Sequence, residues 1–300
     1  MATVLERLPE GATVNVIRLR SLGDCVLTTP ALRVLKQARP DLRVTVTVEP
    51  RFSAVFEGNP DVETVAAPSL PAARAGLCLN LHGGSRSAWL AASTCARFRA
   101  GFSHFVPGWL YNVRIPRAQD ILGEERTVHT AEHLASAVFH LGAPRREIPR
   151  AQLFAPPPPV RPPYAVVHPL AATPEKTWPP ERFVEAAQWL RREAGLEPVF
   201  IGAATDQMRA FSSFECLRGA ALKSVMSLLS GASLFLGNDS GPAHMAAAFG
   251  VPVVVLYGTS DPVIWAPWRT ASESIAAREG IAQLPVSRVI ESLERLRVRV

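Results

Sequence analysis

Six prolines in nine residues, in Ala155-Pro156-Pro157-Pro158-Pro159-Val160-Arg161-Pro162-Pro163, interrupt this chain of 300 residues near its middle. Proline has no backbone donor and a fixed φ of about −65°, so such a run builds neither a helix nor a central strand. It predicts a stiff, extended linker. The expected organisation is therefore a first domain over 1–155, a linker over 156–163 and a second domain over 164–300. A hydrophobic content of 48% is enough for two cores.

On each side of the prolines, apolar stretches of strand length alternate with segments of helical spacing. In the first half, 14–19 reads as a strand, 30–38 as a helix with Pro30 in its first turn, and 43–48 as a strand, together a βαβ unit. Residues 62–65 and 77–81 add strands, and 86–98 and 130–141 add helices. After the linker the pattern restarts: strands over 164–168, 198–201, 233–236 and 253–257, helices over 181–193, 205–211, 222–229, 241–249 and 286–296. Alternation of this kind predicts an α/β class with two doubly wound parallel sheets in tandem, facing each other across a central cleft. No internal sequence repeat relates the halves, so they share architecture only.

Composition narrows the function classes. Residues 1–12 carry Glu6, Arg7 and Glu10 among scattered apolar residues and do not read as a signal peptide. The longest apolar runs, such as 251–257, are far too short to span a bilayer, so a soluble, cytoplasmic chain is expected. The four cysteines, Cys25, Cys78, Cys95 and Cys216, have no C-x-x-C spacing and read as free thiols. The net charge of +6 is uneven, with 18 basic against 13 acidic residues in 1–150 and 14 against 13 in the remainder. A basic first half suits a phosphorylated acceptor or an anionic membrane surface. Nucleic acid is not expected, because the basic residues are dispersed and no nucleic-acid-binding motif is present.

The loop after the first strand, Arg20-Ser21-Leu22-Gly23-Asp24-Cys25, lacks G-x-G-x-x-G. It offers instead a carboxylate, Asp24, where open α/β sheets place their sites. Asp24 can take a proton from a substrate hydroxyl, or simply cap a helix opening near residues 28–30. Arg18 and Arg20 flank this loop, and Arg51 and Arg86 follow later strand ends. They read as an anion-binding set or as separate surface charges. His82-Gly83-Gly84-Ser85 reads as a similar turn.

In the second half, Gly237-Asn238-Asp239-Ser240-Gly241-Pro242-Ala243-His244 joins a strand to a helix start. Unpaired N–H groups there, with the Ser240 hydroxyl, Gly241 and His244, suit a phosphate, although an Asp/Ser cap explains the same residues. Lys176 is one of three lysines beside 29 arginines. It lies in the loop Thr173-Pro174-Glu175-Lys176-Thr177-Trp178-Pro179, beyond a strand end, where an ammonium can neutralise a diphosphate or stay solvated. Asp206 follows the next strand, placed either to hold ribose hydroxyls or to open a helix. D-x-D, H-x-x-x-H and clustered carboxylates are missing, so no metal site is expected.

Taken in order, these segments resemble glycosyltransferase family 9, the lipopolysaccharide heptosyltransferases. The resemblance is carried by Ile17-Arg18-Leu19-Arg20-Ser21-Leu22-Gly23-Asp24 with Pro30-Ala31-Leu32, Leu79-Asn80-Leu81-His82-Gly83 with Arg86-Ser87, Gly101-Phe102, and His129-Thr130-Ala131-Glu132 with Leu141-Gly142. It continues in Lys176-Thr177-Trp178-Pro179, loop 237–244, and Tyr257-Gly258-Thr259 with Trp265-Ala266-Pro267. The resemblance implies a GT-B fold of two Rossmann-like domains, the last helix able to pack back on the first. It implies transfer of a heptose from ADP-heptose, with inversion, onto an anionic lipid-linked saccharide, the lipid A core, at the inner leaflet of the inner membrane, without a cofactor. By resemblance Asp24 is the base, Lys176, Ser240, Gly241 and His244 hold the diphosphate with Asp239 shaping the loop, Asp206 meets the ribose, and Thr173 lies near the phosphates. Arg18, Arg20, Arg51 and Arg86 are the acceptor-side candidates. Another nucleotide sugar or acceptor, or a non-catalytic nucleotide-sugar binder, stands as the alternative. A nucleotide-sugar epimerase of the same shape lacks the Ser21-Leu22-Gly23-Asp24 loop.

Overall fold

Short runs of β-branched and aliphatic residues, buried on both faces, are what a parallel sheet covered by helices requires. In the computed structural model, which describes residues 2–68, 75–158, 161–277 and 279–298, they form two six-stranded sheets. The chain divides into two compact units, Met1–Phe154 and Ala155–Val300.

The first unit contains β1 (Thr13–Ile17), α1 (Leu22–Ala38), β2 (Arg43–Thr47), β3 (Thr64–Ala66), β4 (Leu77–Asn80), α2 (Ser85–Ser93), β5 (Phe98–Phe102), β6 (Val113–Ile115), α3 (Ala118–Leu122) and α4 (Thr130–Leu141). All strands run parallel in the order β3-β2-β1-β4-β5-β6, with Val14 in register with Val44 and Leu77. The helix expected to open at Pro30 opens eight residues earlier, at Leu22, with Pro30 inside it. A proline there cannot bond the carbonyl of Val26, and the neighbouring Thr29 hydroxyl donates to that oxygen instead at 2.8 Å. The helix expected over 86–98 stops at Ser93, because Thr94 and Cys95, the latter at φ 49°, turn the chain into β5. The sequence pattern also misses β5 itself, whose Phe98 it gave to the helix, and β6, which lies at the sheet edge and carries the exposed Arg114.

The second unit contains β7 (Tyr164–His168), α5 (Pro180–Arg192), β8 (Glu197–Gly202), β9 (Glu215–Arg218), α6 (Leu222–Ser230), β10 (Leu234–Asn238), α7 (Gly241–Phe249), β11 (Val253–Tyr257), α8 (Pro262–Trp265), β12 (Ser272–Ala276) and α9 (Val286–Val298). Its order, β12-β11-β10-β7-β8-β9, is that of the first sheet when strands are counted from the start of the unit. Both are therefore the Rossmann arrangement 3-2-1-4-5-6. The edge strands β9 and β12 escape the sequence pattern, as β6 does, because edges tolerate residues such as Glu215, Arg218 and Glu273. The helix expected over 205–211 is a turn followed by one 3-10 turn, Arg209–Phe211. The last helix packs on its own unit, where Val289, Leu293 and Leu296 join Trp178, Phe183 and Phe200 in one core. Of the expected linker, residues 159–160 lie outside the described residues. Pro157 accepts a bond from Ser227 Oγ at 2.9 Å, and the Arg161 guanidinium stacks over Tyr164.

Candidate active site

In a doubly wound sheet, two neighbouring strands whose connections leave in opposite directions open a crevice beyond their carboxyl ends. Here those pairs are β1 with β4 and β7 with β10. The segments leaving these strands contain Asp24, in the first turn of α1, together with His82, Lys176 and loop 239–244.

Asn238, fully buried at the end of β10, ties the second crevice together. Its carbonyl oxygen Oδ1 accepts from Trp178 N at 3.1 Å, and its Nδ2 donates to Pro169 O at 2.8 Å. The β7 loop is thereby fastened to the β10 loop. Trp178 is buried completely and anchored again by Nε1 donating to Leu284 O at 2.8 Å. Just before it, Pro174–Lys176 forms a 3-10 turn with exposed Thr173 preceding it. Lys176 Nζ stands 3.9 Å from Asp239 Oδ2, so the lysine and the loop are together. Gly258 makes this possible, since a Cβ there would overlap the Glu175 carbonyl oxygen.

Ser240 is the N-cap of α7, but its hydroxyl does not cap the helix. It donates to Asn238 O at 3.0 Å and lies 2.9 Å from His168 Nδ1. Its single proton is committed to the carbonyl, so His168 donates through Nδ1–H to the hydroxyl oxygen. Pro242 has no N–H, and Ala243 N turns back to Ser240 O at 3.1 Å. The Gly241 N–H is left with no acceptor among the described residues and opens on the positive end of the helix. His244 is buried one turn in, its ring edge-on to Trp265 at 6.3 Å. Asp206 opens no helix. Its carboxylate accepts from Ala203 N at 2.6 Å and closes a turn after β8. Burial takes the His168 ring down to about 4, with Asp206 opposing that shift.

In the first crevice, Ser21 is the N-cap of α1 and Asp24 the third residue of the helix. Asp24 Oδ2 accepts from Ser21 Oγ at 3.0 Å, while Oδ1 faces Arg18 Nη1 at 3.5 Å. The expected cap near residues 28–30 is thus replaced by a capping box at Ser21, nine residues before Pro30. Arg18 is 6% exposed, and its Nε has no partner among the described residues. Burial lowers its affinity for a proton, and the Asp24 charge restores part of it. His82 is pushed down by burial and by Arg18 and Arg20, with Asp24 acting the other way, which places it in the same crevice. Asn80 holds the His82 turn by accepting from His82 N at 3.0 Å. Arg20 is exposed. Arg51 and Arg86 do not join Arg18: both pair with Glu49, at 2.9 and 3.5 Å.

The sequence assigned no role to His168, Asn238, Asn80 or Glu49, Asn238 and Asn80 entering only inside longer segments, and His82 entered only as part of a turn and of a family segment. A polar residue closing an apolar strand was the available signal for the first three. Among the described residues no group of three or more His, Cys, Asp or Glu side chains is arranged to hold a metal ion. No helix among them is long and apolar enough to cross a membrane.

Two Rossmann-like units in tandem, each with its polar residues at the point where the strand order reverses, define the GT-B class of fold. Comparison with known proteins agrees. The chain belongs to glycosyltransferase family 9 (heptosyltransferase), whose family model matches residues 67–284. It is 24% identical over 297 residues to lipopolysaccharide heptosyltransferase 3 of Escherichia coli (strain K12), covering 83% of each chain. Among solved structures, a glycosyl transferase of family 9 from Veillonella parvula DSM 2008 superposes with a TM-score of 0.86 at 22% identity, covering 96% of this chain and 98% of that one. E. coli heptosyltransferase WaaC with ADP gives a TM-score of 0.80 at 21% identity, over 95% and 99% of the two chains.

Proposed function

We propose that this glycosyltransferase moves a heptose from ADP-heptose to an anionic, lipid-linked saccharide of the lipopolysaccharide inner core, with inversion and without a metal. The observation that carries this reading is Lys176 held against loop 239–244 at the open N-terminus of α7. The names of the related proteins, one solved with ADP, point to the same donor.

The acceptor hydroxyl oxygen attacks the anomeric carbon as the bond from that carbon to the diphosphate oxygen breaks. ADP leaves with the electron pair, and the hydroxyl proton passes to Asp24. The Lys176 ammonium, the Gly241 N–H and His244 meet the charge that grows on the diphosphate, with Ser240 and Asp239 shaping their loop. Asp206 holds the ribose and Thr173 borders the phosphates. Arg18, Arg20, Arg51 and Arg86 face the acceptor's anionic groups, Arg51 and Arg86 exchanging Glu49 for it. The enzyme works peripherally at the cytoplasmic face of the inner membrane. The proline segment 156–163 links an acceptor domain to a nucleotide-sugar domain.

Replacing Asp24 by Asn should lower kcat by about 100- to 10,000-fold while leaving ADP affinity unchanged. Unchanged transfer would remove Asp24 as the base. Preference for UDP over ADP in a binding assay would remove the heptosyl reading.

A further inference from the structure

Large aromatic residues seldom stay in water, yet two tryptophans of the first unit do so side by side. Trp89 on α2 is 56% exposed and Trp109, in the loop between β5 and β6, is 67% exposed. Their rings meet edge to face with centroids 5.6 Å apart. In the same loop Val106 is 72% exposed. Arginines surround this face. Arg86 precedes Trp89 by one helical turn and is exposed. The Arg114 guanidinium lies beside Gly108 with no carboxylate within ion-pair distance among the described residues. Arg51 and Arg86 share the single carboxylate of Glu49, which leaves a net positive charge.

We propose that Trp89, Val106 and Trp109, with Arg86 and Arg114 around them, form the surface by which the chain docks on an anionic lipid bilayer. Tryptophan favours the boundary between headgroups and acyl chains, and arginines beside it are drawn to anionic headgroups. α2 follows the loop leaving β4, and Trp109 lies in the loop leaving β5. The face therefore lies on the α2 side of the sheet whose first strand leads to Asp24. This inference rests on the lipid-linked acceptor proposed above, whose lipid anchors it in the surface that the tryptophans meet.

The test is co-sedimentation of the full chain with vesicles of phosphatidylethanolamine and phosphatidylglycerol, against vesicles of phosphatidylcholine, with no donor or acceptor present. The wild-type chain should bind the anionic vesicles, less tightly as salt rises. Trp89→Ser/Trp109→Ser should bind roughly tenfold more weakly. Trp109→Ser alone, in an exposed loop, covers the case in which the double variant does not fold. ADP affinity and turnover of a soluble, delipidated acceptor should stay at wild-type levels. Vesicle binding that is absent in the wild type, or unchanged in the variants, overturns the proposal. So does a variant that turns a dimer into a monomer, or one that raises KM for the soluble acceptor and keeps its hold on vesicles. Binding that follows the tryptophans while no ADP-sugar is turned over supports the docking surface and sinks the heptosyl reading.

Discussion

His168 shows how one partly buried side chain can set the geometry of a binding loop without charge. It donates to the Ser240 hydroxyl, whose proton is already given to Asn238 O, so the loop is held before any ligand arrives. Asparagine keeps a donor near the position of Nδ1, whereas leucine removes it. His168→Leu should weaken ADP binding about five- to tenfold, and His168→Asn should stay within about twofold, as isothermal titration calorimetry would report. The same histidine makes stability depend on pH. It titrates at about 4 in the folded chain and near 6.5 in the unfolded one, so between these values the unfolded chain binds more protons. Stability therefore rises with pH across that window and is lost as pH falls from about 6.5 toward 4. His133, also at about 4 through burial, the His104 charge and Arg18, adds in the same sense. Urea midpoints should fall over this range, and His168→Asn should flatten part of the fall. Equal slopes in both proteins would contradict the assignment.

At the scale of elements, α1 carries a proline that ought to break it. Thr29 is 2% exposed, and its hydroxyl donates to Val26 O and accepts from Gln152 N at 3.0 Å. Thr29→Val should destabilise the first unit by about 1–3 kcal/mol, since a buried carbonyl and a backbone N–H both lose a partner. Thr29→Ser should be close to neutral, and denaturant unfolding distinguishes the two. This is also why the start of α1 was illegible in sequence. Proline suits the first turn of a helix, and nothing in the pattern announces a neighbouring threonine that makes an interior proline tolerable. By contrast α4 opens as its sequence suggests. His129 Nδ1 accepts from Ala131 N at 3.0 Å and Glu132 accepts from His129 N at 2.9 Å, so His129-Thr130-Ala131-Glu132 is a capping signal as well as a family one.

The whole molecule consists of two units, each with its own sheet and core. Calorimetry should resolve two transitions, and ADP should raise only the one belonging to the second unit. Ligand at about one hundred times its Kd adds about 2.7 kcal/mol to the state that binds it. Equal shifts of both transitions would mean that ADP is held by both units. The α/β class, eight of the twelve strands, and the positions of Asp24, Lys176 and loop 239–244 were legible in sequence, whereas the edge strands β6, β9 and β12 and the interior strand β5 were not. Alternating apolar periods and glycine-containing turns are local, and local patterns survive in one dimension. Tertiary structure alone decided which strand lies beside which, and so brought the β7 loop to the β10 loop through Asn238. It also paired Arg51 and Arg86 with Glu49 and set His168 against Ser240. Apart from the local Arg51–Glu49 pair, those contacts join residues far apart in the chain, and the order of strands in a sheet determines which of them meet.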